Sequence, residues 1–155
     1  MSDLYETDIL IWSEQQADEL RHLQQVGLTN AVDWQNLIEE VLAVGRSELH
    51  AVESLLQRAI EHLLKVAGWP EAQDASHWMA ESHSFLARAR RRHTPSMAQR
   101  IDLSGIYVDA LHAVRLRRYD GTEAAPLPED CPLALEDLLY AQVDVAELAA
   151  RLQKC

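Results

Sequence analysis

Glu48 stands between Val44 and Val52 in a stripe of side chains that is otherwise apolar. On a continuous helix it falls within about 40° of the stripe's centre, where a carboxylate is desolvated and must be paired or held protonated. His62, near the stripe's edge, and Arg46 are the partners that the spacing offers. Such a cluster would serve as a buried acid or as ligands facing a bundle interior. The competing account is a structural ion pair, or a first-turn glutamate after a Ser47 cap, where the helix dipole favours negative charge.

Metal chemistry is the next question, because the chain has seven histidines: His22, His50, His62, His77, His83, His93 and His112. Helical di-iron sites take two Glu-x-x-His pairs plus further carboxylates. One such pair is present, Glu19 with His22, and no His-Glu-x-x-His string occurs. His62 and Glu48 are therefore the first candidates for any site assembled from separate helices. There is no Gly-rich phosphate loop, nucleophile elbow or Cys-x-x-Cys pair, so no cofactor and no assigned metal are expected.

Cys131 precedes Pro132 at an expected helix start, where unpaired backbone N–H groups would favour the thiolate. The plainer account is a small residue closing the Leu127–Pro132 turn. With only Cys131 and Cys155, a disulfide framework is not expected.

Charge is uneven along the chain. The formal net charge is −11, with residues 1–87 at −11, residues 88–118 at +6 and residues 119–155 at −6. The basic band comprises Arg88, Arg90, Arg91, Arg92, Arg100, Arg115, Arg117 and Arg118. A nucleic-acid role would rest on this Arg88–Arg118 band. The acidic remainder repels phosphate, and the band's clusters fall in the last turns of successive helices, which favour cations without any ligand.

Helices must position all of these groups. Trp34, Leu37, Val41, Val44, Val52, Leu55, Ala59, Leu63 and Val66 return at helical steps between Asp33 and Ala67, with no proline among them. The pattern keeps its phase across Gly45-Arg46-Ser47, so one long helix over 33–67, kinked there if broken at all, is expected. Asp8 caps a helix to about Gln25, and a third helix covers about Asp74 to Arg92. Thr94-Pro95 opens one to about Arg118. Asp120-Gly121 makes a turn, Cys131-Pro132 opens a short helix through Tyr140, and Asp144 caps a last one to about Lys154. Trp12, Trp34, Trp69 and Trp78 lie near helix ends and are read as core anchors.

Several strings together resemble the bacterial family catalogued as domain of unknown function twenty-nine. They include Tyr5-Glu6-Thr7-Asp8 with Trp12, Asp33-Trp34 with Asn36–Glu40, Gly45-Arg46-Ser47-Glu48, His62–Lys65, Ser76 with Trp78, and Leu127–Pro132 before Leu135–Leu139. The resemblance implies an all-helical fold and no established activity, so it carries over no catalytic residue. Two departures stand out: Val66 replaces an aromatic residue usual in the family, and the helix around Glu147–Leu152 replaces an acidic-aromatic tail.

The expectation is an all-α bundle of about five to seven helices forming a single domain over 1–155. Its apolar runs are too short to cross a membrane and its N-terminus lacks a leader pattern, so a cytoplasmic location is expected. The favoured role is non-catalytic: a protein-interaction or scaffold module whose partner is another protein or a second copy. The alternatives are an enzyme or metal-binding protein built on Glu48 and His62, and a nucleic-acid-associated protein using the basic band.

Overall fold

The computed structural model describes residues 3–153. Among these residues there are seven α-helices, one 3-10 helix and no strand, which makes the fold all-α. The chain divides into two compact units, residues 1–51 with 93–101, and residues 52–92 with 102–155.

In the first unit, α1 (Leu4–Thr7) leads directly into α2 (Ile9–Val26), and Asp8 caps α2 by accepting the Ile11 N–H at 3.2 Å. Gly27 closes α2 in the left-handed region at φ 71°, which glycine adopts without steric cost. Asp33 then starts α3 (Trp34–Gly68), accepting the Asn36 N–H at 3.3 Å. Gly45 lies inside α3 with no break in the helix. A Cβ built there would collide with Ser13 Oγ and come within 3.0 Å of Leu10 Cα. Glycine is required because α2 crosses α3 at that point.

Thr94-Pro95 does restart helical structure, but only as a 3-10 helix over Pro95–Gln99. The expected single helix to Arg118 is thus replaced by two elements, for a local reason. Asp102 accepts the Gly105 N–H at 3.0 Å and caps a fresh helix, α5 (Leu103–Arg115). Thr94 makes no cap either. Its hydroxyl donates to Asp8 Oδ1 at 3.0 Å, and the Ser96 hydroxyl and N–H donate to the two Asp8 oxygens at 2.6 and 3.0 Å. Asp8 thereby ties the start of α2 to the 3-10 helix.

The second unit has the larger core. Val52, Leu56, Ala59, Ile60 and Leu63 of α3 are completely buried, as are Leu86 and Ala89 of α4 (Ala75–Arg92) and Tyr107, Ala110 and Val114 of α5. Ser82 Oγ donates to the Ala59 carbonyl at 3.2 Å, pinning α4 to α3. The short helices α6 (Leu135–Leu139) and α7 (Val145–Arg151) pack on α4 through Leu138, Leu148 and Ala149. Residues 131–134 are not helical, so α6 starts later than Cys131-Pro132 implied. Its start is set by Asp137, whose carboxylate accepts the Ala134 N–H at 2.9 Å. The expected end of α7 at Lys154, and Cys155, lie outside the described residues.

Candidate functional site

Of the residues singled out in the sequence, Arg46 and His62 each engage a glutamate other than Glu48. Glu48 is half-buried in the first unit. Arg46 is exposed and donates to Glu39 at 2.9 Å. His62 belongs to the second unit, where its ring nitrogens meet the Arg58 carbonyl at 2.9 Å and the Glu81 carboxylate at 2.6 Å. Among the described residues no group of three or more His, Cys, Asp or Glu is placed to hold a metal ion.

Cys131 is half-buried and donates to the Leu133 carbonyl at 3.4 Å. Burial pushes its thiol pKa up, against a smaller opposing contribution from the Leu133 backbone. With no helix starting at Pro132, the arrangement that would favour a thiolate is missing, and the plainer account of Cys131 as a small turn residue fits better. Nearby, the Tyr107 hydroxyl donates to the Pro128 carbonyl at 2.7 Å, and burial drives its pKa up to about 12.

Much of the basic band turns onto the protein's own acceptors. Arg100 pairs with Glu14 at 2.7 Å, and Arg118 pairs with Glu123 at 2.7 Å. Arg115 grips both carboxylate oxygens of Glu129. Arg90 donates to the Tyr140 and Ala141 carbonyls at 3.3 Å, and Arg88 lies 6.0 Å from the Phe85 ring centroid.

Two other features are more site-like. The first is the α2–α3 hairpin of the first unit. Its helices run antiparallel, since Leu10 and Ser13 meet Gly45 while Arg21 and Gln24 share a cleft with Gln35 and Ile38. That cleft encloses about 400 Å³. Between Ala17 and Ile38 no residue is buried, although Leu23, Val26, Leu28, Val32 and Leu37 lie there. Val26 is 57% exposed and Leu28 66%. From Asp18 to Glu40 this surface carries five carboxylates and one guanidinium, Arg21.

The second feature is a cavity of about 250 Å³ in the second unit. Lys65 supplies one wall from the last turn of α3, and Trp69 follows four residues later on the same side. Trp78 comes from the first turn of α4 and Tyr119 from the turn after α5. That turn has positive φ at Asp120 (48°) and Gly121 (77°), the geometry of a tight primed turn, and pairs Tyr119 with Thr122. It is held against the end of α3 by Trp69 Nε1, which donates to the Thr122 carbonyl at 3.3 Å. The Ala125 N–H donates to the Gly68 carbonyl at 2.8 Å, so backbone seals the same junction.

The rings stand close to one another, Trp78–Tyr119 at 5.4 Å, Trp69–Tyr119 at 6.3 Å and Trp69–Trp78 at 6.4 Å between centroids. Lys65 is only 9% exposed, with Nζ 5.7 Å from the Trp78 centroid. Burial, reinforced by Arg117, lowers its pKa against the opposing influence of Glu61 and Glu81. Asp74 lines the rim, where it accepts from the Tyr119 hydroxyl at 3.3 Å. Sequence reasoning placed Arg117 in the basic band and did not join it to Lys65, Trp69 and Tyr119 as one site. The readable signal was a lysine inside the run Leu63-Leu64-Lys65-Val66, one helical turn from a tryptophan.

Among the described residues no helix is long and apolar enough to cross a membrane. Among curated proteins none matches the chain. The fold is similar to that of a solved alpha-helical protein of unknown function from Rhodospirillum rubrum. The two share 29% identity and a TM-score of 0.89, over 99% of this chain and 100% of that one. The family described as "Domain of unknown function DUF29" matches residues 4–143, nearly the whole chain. The chain therefore belongs to the DUF29 family.

Proposed function

We propose that this protein is a non-catalytic recognition module that binds another protein through the α2–α3 hairpin. The observation behind this reading is the hairpin's unburied apolar surface between Ala17 and Ile38. Two helices alone cannot enclose a stripe of leucine and valine, and a third amphipathic helix laid along the groove would cover it. The excess of carboxylates from Asp18 to Glu40 favours a cationic partner helix and opposes pairing with a second, equally acidic copy. The pairing of Arg100, Arg115 and Arg118 with the protein's own surface glutamates supports this reading over a nucleic-acid role, which needs cations free for phosphate.

The test compares wild type with Leu23→Glu/Leu28→Glu in pull-downs at low and high salt. Both positions are exposed, so stability should change by no more than about 0.5 kcal/mol per site. Wild type should retain a protein with a basic amphipathic helix, and the double variant should lose it. Identical captured sets from the two proteins would reject the hairpin as the interface.

A further inference from the structure

We infer that the Lys65–Trp69–Trp78–Tyr119 cavity is a binding site for a small oxyanion carried on a flat ring, an aromatic carboxylate or phosphate. The site uses none of the hairpin's residues and stands or falls independently of the interaction reading.

Lys65 is the group that favours an anion. Its side chain is nine-tenths buried, yet among the described residues no carboxylate lies within ion-pair distance of Nζ. A largely buried ammonium with no ion pair is costly; Glu61 and Glu81 offset part of that from beyond ion-pair distance, and the Trp78 ring adds partial compensation at 5.7 Å. Arg117 lines the same cavity, and it too has no carboxylate at ion-pair distance among the described residues. Burial first, and the Arg117 charge second, make the ammonium harder to hold, against the opposing influence of Glu61 and Glu81. Two cations lining one cavity repel each other, and an incoming oxyanion relieves that repulsion. Asp74 is the one carboxylate in the lining, and it is held at the rim by the Tyr119 hydroxyl.

The ring is required by the other walls. Trp69 is buried behind the cavity, whereas Trp78 and Tyr119 are half-buried and leave part of each ring for a further flat group. The volume limits its size. At about 250 Å³ the cavity falls just below the roughly 300 Å³ lower end for drug-sized ligands. One ring with one acidic group fits that limit.

The experiment titrates the protein with benzoate, phenyl phosphate and uncharged benzyl alcohol, following the tryptophan indole N–H signals by NMR. Trp69 and Trp78 should shift with the two anions and not with the alcohol, and the stronger of the anions identifies carboxylate or phosphate as the preferred head. Lys65→Met keeps most of the apolar stem and should weaken anion binding about ten- to hundredfold, the effect of losing a charge-assisted hydrogen bond. Should that variant unfold, Arg117→Gln provides the test, since Arg117 is exposed, and it should weaken binding several-fold. The inference is overturned by equal binding of the alcohol, or by unchanged affinity in whichever variant is folded. Unshifted indoles at about 10 mM ligand would also overturn it, since a Kd of ~1 mM would then be nearly saturated.

Discussion

Gly45→Ala sets two effects of known size against each other. Helix propensity alone says that alanine at an interior helical glycine should stabilise by about 1 kcal/mol. The crossing of α2 over α3 says the reverse. The new methyl would strike Ser13 Oγ and approach Leu10 Cα to 3.0 Å and Leu10 Cδ1 to 3.1 Å. Overpacking of this kind costs about 1–3 kcal/mol. Ser13 is fully buried and its hydroxyl donates to the Leu10 carbonyl at 2.8 Å. Turning it aside forfeits that bond, a further cost of about 1 kcal/mol.

The net expectation is a loss of about 1–3 kcal/mol, which for a chain of this length lowers Tm by roughly 2–12 °C. Urea unfolding followed by tryptophan fluorescence, together with calorimetry, measures it. Adding Ser13→Ala to Gly45→Ala should recover part of the loss, because the pair shares one contact. A rise in Tm for Gly45→Ala would show that the helices do not cross closely at this point, and the reasoning would fail.

Two further predictions concern ionisable groups. Burial of Asp8 raises its pKa, but the combined bonds from the Ser96 hydroxyl and N–H, the Ile11 N–H and the Thr94 hydroxyl outweigh it and hold the pKa below 3.8. A depressed carboxyl stabilises the fold above its unfolded pKa and loses that contribution as pH falls through the folded value. Asp8→Asn should therefore cost stability throughout the neutral range, and its deficit relative to wild type should shrink only below about pH 4. A deficit unchanged down to pH 2 would contradict this. For Cys131, the raised thiol pKa predicts slower modification by a disulfide reagent at pH 8 than for a peptide thiol, in a Cys155→Ser background. Equal or faster reaction would restore the activated-thiol reading.

The ends of the helices were largely legible because their causes are local. Asp8, Gly27 and Asp33 each act within four residues of the backbone group they satisfy. The unbroken course of α3 through Gly45 followed from the phase of its apolar residues, whereas the reason for that glycine lay in Leu10 and Ser13 and was invisible locally. Thr94 was read as a cap because Thr-Pro has that local meaning, yet its hydroxyl serves a carboxylate 86 residues away. Glu48 and His62 were joined in sequence reasoning because they share one helix, while the His62 ring is engaged by Glu81 of α4. The cavity was half legible. Lys65 and Trp69 sit one turn apart, but Tyr119 enters only because Asp120 and Gly121 fold the chain back onto the end of α3.

The bonds from Ser96 to Asp8 join positions 88 residues apart. During synthesis at about 5–20 residues per second, the Asp8 carboxylate emerges roughly 4–18 s before its hydroxyl partners exist. Until then it can serve only the neighbouring Ile11 N–H, so the cap of α2 is available early while the tie to the 3-10 helix waits for the middle of the message to be read. A recombinant fragment stopping short of Thr94 would leave that tie permanently unmade.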